Sequence, residues 1–257
     1  MERNKLYKGD CLEIMREIPD HSVDLVLADP PYNTLNKSNP DAQWDKEVDL
    51  KALWKQYKRI VKPNGAILLF GQGLFAAKLI MSNPSWYKYD IVWNKVRKSN
   101  FLNCKRMPMR QHEQVLVFYK KLPTYNPQMV YAGPHQRNHS RGKQEGAQTN
   151  TCYGKFGKAE VVMSDYKYPG TIITFAKGHN SEDWLHSTAK PVPLLRWLIK
   201  TYSNEGELVL DTFAGSGSTI IAAIDEKRDW IGIELSDKYY EICEKRVKAR
   251  LKEQKLF

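Results

Sequence analysis

Short apolar runs that stop abruptly at turn residues recur along this chain, with amphipathic segments between them, and no other feature restricts its fold as strongly. VDLVLA at 23–28 is closed by Asp29-Pro30-Pro31, and proline ends a strand because it has no N–H to give the ladder. AILLF at 66–70, ELVLD at 207–211 and WIGIE at 230–234 repeat the pattern, while 87–93 and 114–119 read as further strands. Leu50, Leu53, Trp54, Tyr57, Ile60 and Val61 are spaced as one face of a helix over 49–61, which Pro63-Asn64-Gly65 stops. Further helices are expected at 74–81, 192–202 and 218–226, with a basic one over about 237–252. Strands alternating with helices imply an α/β fold, a mostly parallel sheet with helices on both faces. Ligands then sit in the loops at the carboxyl ends of the strands.

The periodicity fails between about 121 and 171, where the chain turns polar and rich in Gly, Asn, Gln and Tyr. That divides it into a body, 1–120 with 172–257, and an insertion, 121–171. Forty Lys and Arg against 29 Asp and Glu leave a net charge of +11, the footprint of a polyanion binder. The N-terminal MERNKLYKGD has neither an apolar core nor a cleavage pattern, and no stretch approaches the length of a membrane span. A soluble, cytoplasmic protein is expected. Cys11, Cys104, Cys152 and Cys243 form no C-x-x-C pair, and His135 and His139 fall in a segment whose Pro, Gly and Asn content reads as loop. Reduced thiols and no metal site follow.

Three elements carry chemistry. Asp211-Thr212-Phe213-Ala214-Gly215-Ser216-Gly217-Ser218 runs from a strand through a glycine turn into a helix, where backbone can approach a ligand closely. A dinucleotide fingerprint would need glycine where Ile220 stands, and no Lys is placed for a phosphate loop. The pattern favours a nucleoside without a pyrophosphate, with a plain tight turn as the competing reading. Glu234 ends the next strand, where an acid meets ribose hydroxyls in nucleotide-binding sheets. The third element is Asp29-Pro30-Pro31-Tyr32. An exocyclic amino nitrogen is a poor nucleophile because its lone pair is delocalised into the ring. A carboxylate and a carbonyl accepting its two hydrogens favour a pyramidal nitrogen with that pair available. Asp29 and the Pro30 carbonyl supply such acceptors, the prolines stiffen the backbone, and Tyr32 offers a ring for stacking. The target base would have to flip out of its duplex.

Asp29-Pro30-Pro31-Tyr32 together with Phe213-Ala214-Gly215-Ser216-Gly217 resembles the amino-group DNA methyltransferases, which act on adenine N6 or cytosine N4, in the motif order of the beta class. The resemblance covers nearly all of the chain except the insertion. It implies a Rossmann-like fold that binds S-adenosyl-L-methionine, with direct in-line transfer and no cysteine adduct. Catalytic roles are implied for Asp29, Pro30, Pro31 and Tyr32. Cofactor contacts are implied for Asp10 and Cys11, Asp29, Asp211, Phe213, Ala214, Gly215, Ser216, Gly217, Glu234 and Leu235. His186-Ser187-Thr188-Ala189-Lys190-Pro191 resembles the family's element beside the methionine part of the cofactor, implying Thr188 and Lys190, although serine replaces the usual proline. His112-Glu113 also resembles the family and is read first as structural.

On the DNA side, Lys95, Arg97, Lys98, Lys105, Arg106 and Arg110 concentrate cations for phosphate contact, with Asn100 and Asn103 between them. Arg137, Arg141 and Lys143, with Gln136, Asn138 and Gln144, place base readout in the insertion, the family's target-recognition region. The polar stretch 33–47, which holds Trp44, is expected to act as a lid. Asp at position 29 favours adenine by resemblance, and cytosine N4 is the alternative. An inactive DNA-binding module is the competing class, and a nicotinamide-dependent oxidoreductase fits the sheet pattern alone. A homodimer and a partner restriction endonuclease are further expectations of the resemblance.

Overall fold

The computed structural model describes residues 1–32, 48–134, 164–176 and 189–254. The expected lid at 33–47 therefore lies outside the described residues, as do His135, His139 and Cys152. Chain contacts group Met1–Asn126 with Thr171–Phe257 as one unit, and Pro127–Gly170 as another. The insertion was expected from 121, but residues up to Asn126 belong to the main unit. The Asn126 side chain donates to the carbonyls of Lys200 and Ser203, fastening this segment to the body.

The main unit holds one eight-stranded sheet in the order β1 (Lys5–Lys8), β10 (Asp229–Glu234), β9 (Leu208–Asp211), β2 (Val23–Ala28), β3 (Val61–Gly71), β5 (Arg110–Phe118), β4 (Tyr87–Ser99), β8 (Ile172–Thr174). From β1 to β3 every pairing is parallel; β5 runs against both β3 and β4, and β8 lies parallel to β4. β5 alone opposes the rest. The sheet is therefore mostly parallel, as the alternation implied, with β1 and β8 as strands too short to be read beforehand.

Side chains alternate between its two faces as the pleat demands. Leu25, Leu27, Leu68, Phe70 and Val209 face one core, which α4 (Val192–Tyr202), α5 (Ser218–Asp225) and α6 (Asp237–Gln254) complete. Val26, Ala28, Ile67, Leu69 and Leu210 face the other, covered by α1 (Cys11–Ile14), α2 (Leu50–Ile60) and α3 (Gly73–Ser82). Asp49 starts α2 by accepting from the N–H groups of Lys51 and Ala52. Among the described residues, no helix is long and apolar enough to cross a membrane.

In the second unit, β6 (Val130–Tyr131) and β7 (Tyr166–Lys167) pair antiparallel, with the rings of Tyr131 and Tyr166 edge to face at 5.5 Å.

Candidate active site at the carboxyl ends of the strands

β2 and β9 are neighbours, but the chain continues from β2 to β3 on one side and from β9 to β10 on the other. Their carboxyl ends flank the crevice where strand order reverses, which is where open α/β sheets take their ligands. A cavity of about 340 Å³ lies there. Of the residues implied for a cofactor, Asp10, Cys11, Asp29, Lys190, Asp211, Phe213, Ala214, Gly215, Ser216, Glu234 and Leu235 line it. Thr188 lies outside the described residues. Gly217 is not part of the lining. Its φ of 84° caps α5, and a Cβ there would stand 2.6 Å from the Cys243 sulfur. Packing of α5 on α6, rather than a ligand, accounts for that glycine. Leu12, Val48 and Tyr239 also line the cavity and had no signal of their own in the sequence.

The wall from β9 and β10 is built by the backbone. Asp211 accepts from the Phe213 N–H at 3.0 Å, and the hydroxyls of Tyr57 and Thr212, 2.6 Å apart, tie the turn to α2. Gly215 turns with a φ of 52°. Its N–H donates to Glu234 Oε2 at 2.7 Å, while the Ser236 N–H donates to Oε1 at 2.7 Å. Each carboxylate oxygen keeps a lone pair for a hydroxyl donor. Asp10 caps α1 by accepting from the Leu12 N–H at 2.6 Å. Burial raises the Glu234 carboxyl above its ordinary range and pushes Asp211 up to about 7. Burial likewise pushes the Cys11 thiol up to about 12, which leaves it unreactive as a nucleophile.

The wall from β2 is built by charged side chains. The Lys190 ammonium pairs with Asp29 Oδ2 and lies 3.4 Å from Glu113 Oε2, and Lys95 reaches Glu113 Oε1 at 3.1 Å. Asp29, Lys190, Glu113 and Lys95 thus form a row of alternating charges at the rim of the sheet. Burial pulls the Lys190 pKa down, but Asp29 and Glu113 outweigh it and the ammonium is held more firmly than usual. Burial raises Glu113, and the two lysines bring it below its ordinary value. For Asp29 burial wins, and its carboxyl is raised despite Lys190. The Tyr32 hydroxyl donates to Asp29 Oδ1 at 3.1 Å, and its ring stacks on Phe75 at 4.6 Å. Pro30 is buried behind Asp29, and Pro31 lines the cavity.

Two expectations change here. Lys95 was grouped with the phosphate-binding cations, but its ammonium is turned inward to Glu113 and its side chain is only 15% exposed. Asn100 and Asn103 were offered to bases or phosphates, but the Asn103 amide donates to the Asn100 carbonyl oxygen at 2.7 Å and holds a turn together. Arg97, Lys98, Lys105, Arg106 and Arg110 are exposed around the connection between β4 and β5. Arg137, Arg141 and Lys143 lie outside the described residues. Glu113, first read as structural, proves to be a partner of Lys190. The 76 residues between these two in sequence hid the pairing.

The cavity chemistry selects its ligand. Among the described residues, Asp10, Asp29, Asp49, Asp211 and Glu234 line it against one cation, Lys190, which is already committed to carboxylates. A pyrophosphate would meet like charge, whereas a cationic nucleoside with free ribose hydroxyls meets acceptors. S-adenosylmethionine, with its sulfonium and ammonium groups, fits this lining, and a nicotinamide dinucleotide does not.

Comparison with known proteins agrees with that chemistry. The family model for the N6 and N4 DNA methylases, described as DNA methylase, matches residues 23–245. The chain belongs to this family of S-adenosylmethionine-dependent DNA methyltransferases. It is 30% identical over 266 residues to the Type II methyltransferase M.HinfI of Haemophilus influenzae, covering 95% of this chain and 68% of that protein. It is also 30% identical over 271 residues to the Type II methyltransferase M.BamHI of Bacillus amyloliquefaciens, covering 98% of this chain but only 59% of that one. The crystal structure of an M1.HpyAVI–SAM complex shares the fold, with a TM-score of 0.61 at 21% identity over 95% of this chain and 98% of that one.

Proposed function

We propose that this protein transfers a methyl group from S-adenosylmethionine to the 6-amino group of adenine flipped out of duplex DNA. The observation that carries the reading is the placement of Asp29. It lines the same cavity as Gly215 and Glu234, with Oδ2 held by Lys190 and Oδ1 by the Tyr32 hydroxyl, which a substrate can displace.

Bound in this cavity, S-adenosylmethionine supplies an electrophilic methyl group on a positively charged sulfur. Glu234 and Asp10 orient the nucleoside end by accepting from its hydroxyls and ring amine. Asp29 and the Pro30 carbonyl accept the two hydrogens of the target amino group, which frees the nitrogen lone pair to attack in line. Tyr32 gives the base an aromatic face. As the new C–N bond forms, the sulfur–methyl bond would break with its electron pair left on a neutral thioether; the nitrogen becomes acidic, and Asp29, whose carboxyl burial has raised, accepts the proton it sheds. Lys190 and Glu113 fix the position and charge of Asp29, so most of the rate enhancement comes from orientation and a preorganised field.

Adenine is preferred to cytosine because of the family association of Asp at position 29. Pro127–Gly170 is assigned to target recognition, and the Type II relatives favour a modification role beside a restriction endonuclease. The test is incubation with duplex DNA and isotopically labelled S-adenosylmethionine, followed by digestion to nucleosides and mass spectrometry. Label in 6-methyladenine is expected. Label in 4-methylcytosine would keep the mechanism and replace the base, and no label in any nucleoside would overturn the reading.

A further inference from the structure

We infer that Phe101 and Leu102, at the tip of the β4–β5 hairpin, form an apolar wedge that enters the base stack of duplex DNA beside the nucleotide to be methylated. This rests on the reading that the substrate is duplex DNA. Phe101 is 68% exposed and Leu102 is 83% exposed. Adjacent large apolar side chains held in water at the end of a hairpin contribute nothing to the core, and Met107, 49% exposed, stands with them.

The tip is nonetheless built. Phe101–Asn103 form a 3-10 turn that Asn100 enters with a φ of 69°. The Asn103 amide locks onto Asn100 at 2.7 Å, and the N–H groups of Cys104 and Arg106 donate to the carbonyls of Phe101 and Asn103 at 3.0 and 2.8 Å. Both asparagines are engaged in holding the turn, so its outward groups are the apolar ones. At the hairpin's base, the Asn94 side-chain Oδ1 accepts from the Val96 N–H and from the Gln111 side-chain amide, each at 3.1 Å, across a register shift.

Charge decides the partner. Arg97 and Lys98 precede the tip, and Lys105, Arg106 and Arg110 follow it, all exposed. Cations on both flanks of an apolar tip match a surface whose phosphates lie on either side of stacked apolar bases. Proteins that unstack duplexes insert side chains of this type, Phe and Leu among them. Topology then decides where the wedge acts. β4 runs parallel to β3 and so to β2 and β9, which brings its carboxyl end to the rim that carries Asp29 and Asp211. Glu113, opposite Trp93, touches Lys190 at the site, and the hairpin continues three residues further along β5 to the pair Ser99 and Arg110. At 3.3–3.4 Å per residue the tip begins about 10 Å beyond Glu113, on the rim that carries Asp29. A wedge there fills the stack that a flipped base has left.

The experiment measures kcat/KM for methyl transfer by wild type and by Phe101→Ala/Leu102→Ala, after the methylated site has been mapped in plasmid DNA. Two duplexes carrying that site are used, one fully paired and one with an abasic position opposite the target base, where flipping needs less unpairing. The double variant should lose about tenfold or more on the paired duplex, the scale set by an unstacking cost of a few kcal/mol, and less than about threefold on the abasic one. Its melting temperature should match that of wild type, because neither side chain is buried. Equal losses on the two duplexes, no loss on the paired one, or a changed oligomeric state in sedimentation would overturn the wedge. Absence of transfer by wild type on every duplex would instead overturn the reading of the substrate, and the wedge with it.

Discussion

The two walls of the cavity hold their carboxylates in different ways. Glu234 receives one backbone N–H on each oxygen, from Gly215 and Ser236, whereas Asp29 receives two side chains, Lys190 and Tyr32. Backbone donors fixed by a turn cannot leave without unfolding it, so the wall from β9 and β10 is a template whose shape exists before any ligand arrives. Side-chain donors can rotate aside. An amino group can therefore take the place of Tyr32 on Asp29 Oδ1, while Lys190 keeps the charge in position. A nucleoside that must be met in one fixed orientation suits the first arrangement, and a base that must swing into place suits the second.

The comparison breaks most decisively at Asp29. Asp29→Ala removes the proposed acceptor of the target amino group and should lower methyl transfer by about a thousandfold, with cofactor affinity within about threefold of wild type. Transfer assays with labelled cofactor, paired with titration calorimetry, separate the two effects; wild-type turnover in the variant would sink the proposed site. Glu234→Ala should do the reverse. It removes charged acceptors from the template wall, so cofactor binding should weaken by about 10- to 100-fold, while kcat at saturating cofactor changes less. A large fall in kcat with unchanged affinity would show that the walls are not separable in this way.

A smaller effect tests whether the charge row acts as a unit. Glu113 raises the Asp29 carboxyl by repulsion and helps hold Lys190 protonated. Glu113→Gln removes both influences, and kcat should fall about tenfold as Lys190 loses one of its two anchors. Activity needs Asp29 ionised, so its acid limb should move to lower pH as the carboxyl pKa falls. A purely packing role for Glu113 would leave the limb in place.

The template wall was legible in the sequence and the charge row largely was not, for a physical reason. Backbone sites are written locally: a strand, a glycine turn and an acid at the end of the next strand lie within 24 residues, from Asp211 to Glu234. Even there Gly217 misled, because a glycine required by packing against Cys243 looks the same in sequence as one required by a ligand. The row joins β2, the start of β5, the end of β4 and the segment before α4, and no local pattern links Asp29, Glu113, Lys95 and Lys190. Lys95 shows the cost of that distance. In sequence it is one cation in a basic run, and only the pairing of Trp93 with Glu113 across two strands turns it inward. The sheet was readable for the converse reason, since each buried strand carries its own apolar run, and β1 and β8 escaped because theirs are too short.

Asp211, at the end of β9 beside the crevice, offers the smallest effect and a test of how far burial governs this site. Its carboxyl titrates near 7 when folded, against an ordinary 3.8, because burial disfavours the charge more than the Phe213 N–H and Thr219 compensate for it. Between those values the unfolded chain has lost the proton and the folded one keeps it. Folding takes up a proton there, so this group's contribution to stability falls as pH rises from about 4 to about 7 and is level above. Asp211→Asn removes the titration. Without cofactor, the melting temperature of the variant relative to wild type should rise by about 8 °C across that window and stay constant above it. A difference that does not vary with pH would place the Asp211 pKa in the ordinary range. The same charge links stability to ligand binding: a cationic cofactor favours the ionised carboxylate, so binding near pH 7 should release up to about half a proton from wild type and none from the variant at this position. Calorimetry in two buffers of different ionisation enthalpy counts that proton directly.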